Sequence, residues 1–239
     1  MAELPTSFPL PMPETSDLGR YLEDTITVDW QTPAVSERAR QLLSQASTPA
    51  DGAERIFRFV RDAIAHSFDL DLDLERAPKF ESATQVARRG IACRASEVLA
   101  LGDGLCYAKS HLLAALLRFA GHPTGFCYAR LVDEERPGRF VLHGFNAIYW
   151  QPAESWILLD ARGNRGEITS DCRFEAPFSL AHVPDLERGE ALLPWVFKRP
   201  GKRVVDTLER APDFESLRRN LPDRLTFEAG NASRHERGA

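Results

Sequence analysis

The sequence predicts an α+β fold. An apolar helix over residues 105–120 is followed by a change of hydrophobic period and then by three strands, at 125–132, 140–150 and 156–161. Short turn segments between the strands make the sheet antiparallel. The chain has 239 residues, 43% of them hydrophobic, enough for one sizeable core. We expect an extended, proline-rich arm at residues 1–17, a single domain over 18–227 with a C-terminal extension from about 166, and a flexible tail at 228–239.

Along the chain, residues 51–65 read as an amphipathic helix. Ile56, Phe59 or Val60, and Ala63-Ile64 recur on one face, while Arg55, Arg58, Arg61 and Asp62 take the wet side. Thr48-Pro49 supplies a start signal. A loop containing Pro78, a short helix over 82–89 and a further turn of helix over 95–101 come next. In 105–120, Leu112, Leu113, Leu116, Leu117 and Phe119 wrap more than one face, so that helix is expected to be central and buried. Gly121 ends it as a cap and Pro123 prevents continuation. The strands are rich in aromatic and β-branched residues, with turn chemistry at 133–138 and a short link at 151–155. Within 162–230 only a helix near 214–220 shows a pattern.

Charge excludes some functions. The net charge is −5 with both signs interspersed, so there is no basic face for nucleic acid. The acidic run at 69–75, DLDLDLE, alternates as an exposed strand or extended loop would. No stretch reaches the roughly 18 apolar residues of a membrane span, and the first residues do not read as a secretion signal. The four cysteines, Cys93, Cys106, Cys127 and Cys172, have neither CxxC nor zinc-ligand spacing. We therefore expect no metal, no cofactor, no nucleic-acid or membrane partner, and a cytoplasmic protein with reduced thiols.

Cys106 is the most informative residue. It follows Gly102-Asp103-Gly104 and opens the apolar helix, where unpartnered N–H groups and the positive end of the helix dipole favour thiolate over thiol. The glycines let another backbone or a substrate approach closely. His143 on the second strand is its candidate base, and Asp160 at the end of the third is the candidate orienter of the imidazole. The spacing tests this. If Trp150 pairs with Ser155, Phe145 falls opposite Asp160 and His143 lies on the diagonal, within side-chain reach; a one-residue slip separates the two groups.

Other candidates read as structural. Lys109, three residues past Cys106, is expected to be solvent-directed or structural; His111 packed or capping; His122 a turn residue; and His66 and His182 partly exposed loop or helix-end residues. Asn146 is an alternative orienter, although its parity points it to the opposite face. Cys127 alternates into the core. Trp150 and Trp156 read primarily as packing residues, with walling of the site as the second reading. The Gly102-Asp103-Gly104 segment is a weak phosphate-loop signal.

Residues 102–126, GDGLCYAKSHLLAALLRFAGHPTGF, resemble the cysteine block of the transglutaminase-like superfamily. HGFNAIYW and WILLDARGN are similar to its histidine and aspartate blocks, and FRFVRDAIAHSFD is similar to the helix that precedes the cysteine block in bacterial members. The likeness covers roughly residues 50–165. It implies a papain-like core, a central helix packed on an antiparallel sheet, with Cys106 as nucleophile, His143 as base and Asp160 as orienter. After the histidine many members have Ala or Thr and then Trp, whereas this chain has Gly144-Phe145. The Cys106 N–H is one oxyanion donor by position; Gln85 and Ser96 are candidates for a second.

The expected function is cysteine-dependent acyl transfer on amide bonds of a peptide or protein through a thioester, with water as the preferred acceptor: a peptidase, amidase or deamidase. The alternative is a transglutaminase-like scaffold that binds peptides or partners with little or no catalysis. Acetyl transfer from a thioester cofactor uses a similar triad but needs a coenzyme pocket.

Overall fold

The structure is a computed structural model that describes residues 3–6, 8–70 and 90–225. The expected helix at 82–89, Pro78, Gln85, residues 71–75 of the acidic run and the tail at 228–239 lie outside these. The described chain runs β1 (Met12–Pro13), α1 (Pro33–Leu43), α2 (Pro49–Arg58), β2 (Ala65–His66), α3 (Ala95–Leu101), β3 (Asp103–Gly104), α4 (Cys106–Phe119), β4 (Thr124–Val132), β5 (Phe140–Trp150), β6 (Ser155–Leu159), β7 (Ala191–Leu192), β8 (Trp195–Val196), α5 (Lys202–Arg210) and α6 (Phe214–Arg219).

A four-stranded antiparallel sheet, ordered β6-β5-β4-β7, packs against α4, and α1, α2 and α3 cover the helix's other sides. This is the α+β architecture expected. Every residue of α4 from Tyr107 to Arg118 is buried; only its two ends, Cys106 and Phe119, are not. The sequence thus puts its thiol at one of the two accessible ends of an otherwise enclosed helix. The helix closes as predicted: Gly121 takes φ 85°, and His122 N–H bonds back to the Leu117 carbonyl at 3.0 Å.

α1 escaped the periodicity reading although it begins as α2 does, with Thr-Pro at its start. In α2 the Thr48 side chain accepts the Asp51 N–H at 3.1 Å. α2 then widens into a π-helical turn over Phe59–Ala63, which ends the helix at Ile64. That turn corrects one expectation. Arg61 is turned inward, its side chain 13% exposed, and its guanidinium donates to the Ser170 carbonyl at 2.9 Å and to Asp171. Residues 67–70 are helical rather than extended, so the start of the acidic run is not a strand.

Lys109 is buried in the interior, and its ammonium donates to the carbonyls of Arg61 and Ile64 at the end of the π turn. The structural reading holds and the solvent-directed one does not. Burial pushes its pKa down to about 7, and the neighbouring Arg162 adds to this against the pull of Asp160 and other carboxylates. Arg118 is likewise buried, donating to the Thr124, Glu23 and Lys198 carbonyls and so tying α4 to both ends of the chain. The N-terminal arm is extended and packed: Leu4 is buried against the Phe178 backbone, and β1 pairs in parallel with β8.

Candidate active site

Two local devices fix where Cys106 lies. Gly102 ends α3 in the left-handed conformation at φ 76°, and the next two residues pair as β3 with β2, so His66 lies beside Gly104. Asp103 is buried and accepts the Ser67 hydroxyl at 2.7 Å. The segment is therefore a strand-to-helix junction, and its acidic side chain is committed inward, which removes the phosphate-loop reading. α4 starts immediately after it, so Cys106 occupies the first turn, where backbone N–H groups have no partner within the helix.

The strands place the other two residues. Trp150 pairs with Ser155 and Asn146 with Leu159, which is the register anticipated from the link length, although β6 ends at Leu159 rather than at residue 161. One step further, Asp160 falls level with Phe145 and reaches diagonally to the histidine: His143 Nε2 donates to Asp160 Oδ2 at 2.8 Å. Both groups are buried, Asp160 completely. The carboxylate also accepts the Ala181 N–H at 2.9 Å and the Arg162 N–H at 3.2 Å, and its backbone carbonyl accepts the Ser170 hydroxyl. Among the described residues, the hydrogen bonds that hold Asp160, other than that from His143, come from Arg162, Ser170 and Ala181.

Burial alone would push the His143 pKa down. The charge of Asp160, its hydrogen bond, and then the hydrogen bond and charge of Cys106 outweigh that and raise it to about 10. Burial would raise the Asp160 pKa, but the adjacent imidazole and the Ala181 N–H hold it below the ordinary carboxylate value. Both shifts favour a carboxylate–imidazolium pair. Nε2 is committed to Asp160, which leaves Nδ1 for the sulfur. The other thiols are different in kind. Burial pushes Cys93 and Cys172 up to about 12 and Cys127 higher still.

Tyr107, next to the thiol, joins helix and strand. Its hydroxyl donates to the Leu142 carbonyl and its ring lies against Gly144, where a Cβ would meet Tyr107 Cδ1 at 2.8 Å. The His143-Gly144 pair thus has a physical reason: only glycine leaves room for this ring. Asn146 faces away from the carboxylate, as its parity requires, and its amide donates to the Ser110 and Gly125 carbonyls.

Cys106 is half-buried and opens with His143 onto a cleft of about 470 Å³, whose wall also carries His66, His182, Arg162 and Phe68. His66 corrects the sequence reading, whereas His182 is the partly exposed loop residue expected. His66 is buried at the cleft, and His182 stands edge-on to His143 with ring centroids 4.9 Å apart. Burial and the His143 charge push the His182 pKa down to about 4. Nothing in the local sequence marks His182, because its approach depends on how the extension folds back. Ser96 does not line this cleft; its N–H and hydroxyl donate to the Asp29 carboxylate at the start of α3. Trp150 packs at a tilt against Phe174 and Trp156 against Tyr21, and neither lines the cleft. His111 is packed, bonded to the Cys93 carbonyl, and His122 lies beside Trp150 at the helix stop. No group of His, Cys, Asp and Glu side chains suited to a metal occurs among the described residues, and no described helix is long and apolar enough to cross a membrane.

A helix-borne cysteine thus lies beside a strand-borne histidine and an aspartate just past β6, on an α+β core. The sequence model of the transglutaminase-like superfamily matches residues 36–161. The chain belongs to the transglutaminase-like superfamily. No curated protein matches it. Among solved structures it is similar to a protein of Cytophaga hutchinsonii provisionally named a cysteine protease, at 14% identity and a TM-score of 0.42, over 62% of this chain and 43% of that one. It is also similar to a provisionally named protease of Parabacteroides distasonis, at 14% identity and a TM-score of 0.35, over 59% and 25%. The chain matches less than half the length of either.

Proposed function

We propose that the protein is a cysteine-dependent acyl-transfer enzyme that cleaves amide bonds through a thioester on Cys106, with water as the usual acceptor. The observation that carries this reading is the buried 2.8 Å His143–Asp160 bond beside a half-buried thiol that opens a helix on a cleft.

The chemistry follows from the positions. The Cys106 sulfur attacks the carbonyl carbon of an amide, forming C–S while the carbonyl π pair moves onto oxygen. The tetrahedral species collapses, the C–N bond breaks, and the imidazolium of His143 passes its proton to the departing amine. His143, now neutral, takes a proton from water as it attacks the thioester, and sulfur leaves. Asp160 holds the ring through Nε2 and stabilises the imidazolium, as the third member of such a triad does. Its own bonds to Ala181 and Arg162 fix its position, so the imidazole has one orientation.

The test is hydrolysis of a panel of fluorogenic peptide amides by the full chain and by Cys106→Ala. Cleavage by the wild type that the variant loses, with circular dichroism unchanged, is the expected result. Cleavage that survives in Cys106→Ala would remove the assignment.

A further inference from the structure

An oxyanion at this cleft needs more than the N–H of Cys106, and Ser96 is engaged elsewhere. We infer that His66 is a catalytic residue of the site proposed above, its neutral imidazole donating a hydrogen bond to the oxyanion that forms when Cys106 attacks a carbonyl. The inference rests on that reading of the site.

Position comes first. β2 pairs in parallel with β3, so His66 sits opposite Gly104, two residues before Cys106, and its side chain lines the same cleft as Cys106 and His143. The imidazole therefore stands on the side of the thiol supplied by β2, while His143 approaches from β5. A carbonyl attacked by sulfur between them directs its oxygen towards the start of α4, where the Cys106 N–H also lies.

Among the described residues, the Nδ1 edge of the ring has no structural hydrogen bond, and Nδ1 is sealed from solvent. Asp69 Oδ1 lies 3.9 Å from it, beyond hydrogen-bond reach, and is already held by the Arg162 guanidinium at 2.7 Å. Nothing among the described residues pins the ring's proton on Nδ1, so Nε2 is free to carry it.

The ring must also be a neutral donor, and its surroundings enforce that. Burial first, then the positive charges of Arg162, Lys109 and His143, hold its pKa well below the ordinary histidine value. A neutral N–H whose field is already positive favours negative charge on a facing oxygen without competing with His143 for the acid–base role. The edge contact with Phe68, ring centroids 6.0 Å apart, fixes the plane of the imidazole.

The experiment separates two reactions of one thiol. Alkylation by iodoacetamide is a displacement at carbon and forms no oxyanion, whereas acylation by a p-nitrophenyl ester does. His66→Ala is expected to lower the acylation rate about 10²–10³-fold, the usual effect of removing one such donor, with Cys106 alkylation unchanged. His66→Gln, which keeps a donor, is expected to recover part of the loss. Equal acylation by wild type and His66→Ala overturns the inference and leaves the wider reading intact. Parallel loss of both reactions also overturns it, since His66 would then act on the thiol or the fold. A wild type that is never acylated at Cys106 removes the wider reading, and the inference with it.

Discussion

His143 is where sequence, packing and chemistry meet most tightly. Its residue number and strand period were enough to bring it to Asp160, because side chains alternate along a strand and the four-residue link fixes which pairs face each other. Replacing Asp160 with Asn keeps the size but removes the charge that supports the imidazolium, and a fall in kcat on the order of 10⁴ is expected for the proposed reaction, read against unchanged secondary structure. The same pair sets a pH window for stability. The His143 pKa rises on folding, so its contribution is complete below 6.5 and is lost as pH climbs towards about 10. The Asp160 pKa falls on folding, so its contribution is complete above 3.8 and is lost as pH drops through the lowered folded value. Urea midpoints measured from pH 5 to 10 should decline on the alkaline side, and His143→Gln should flatten that decline. Identical slopes for the two proteins would contradict the coupling.

At the scale of elements, the site depends on how closely α4 approaches β5. The tightest contact described is the Tyr107 ring on Gly144. Gly144→Ala places a methyl 2.8 Å from Tyr107 Cδ1, and the strain is expected to cost about 1–3 kcal/mol while displacing Cys106 relative to His143. Denaturation midpoint and acylation rate should therefore fall together. A variant with wild-type values of both would mean the glycine is incidental. α4, β4 and β5 were legible because each is a long run of apolar, aromatic or β-branched residues with clear stops: Gly121 and Pro123 after the helix, turn residues at 133–138 between the strands. α1 and α5 were not. α1 has few buried apolar positions, Val35 and Ala39 among them, and α5 only Val204 and Leu208, so each offers a short apolar stripe in a short, highly charged segment. Lys109 was left between two readings for a related reason. A lysine is assigned to water by type, and only the carbonyls exposed at the π turn, a tertiary feature, give its ammonium a buried home.

Across the molecule, the C-terminal extension belongs to the site. Ala181 and Arg162 bond the Asp160 carboxylate, Ser170 bonds its carbonyl, and His182 stands against His143. Arg61 reaches from the π turn to grip residues 170 and 171, β7 joins the sheet beside β4, and Arg118 ties α4 to the Lys198 carbonyl. None of this was readable from composition, because each link is a single backbone or side-chain contact made by an aperiodic stretch. Ending the chain at residue 165 is expected to leave Asp160 without its Ala181 and Ser170 partners and to expose the β4 edge, giving a protein that does not unfold cooperatively in urea. A truncated chain with the wild-type urea midpoint and Cys106 alkylation rate would show that the extension is dispensable.

The most direct measurement is acid-quenched mass spectrometry of the full chain after mixing with a peptide p-nitrophenyl ester, followed by peptide mapping. The account predicts an acyl mass on the peptide containing Cys106, absent in Cys106→Ala, strongly slowed in His143→Ala, and never found on Cys93, Cys127 or Cys172. An adduct on another residue, or none on Cys106 while ester hydrolysis proceeds, would contradict it.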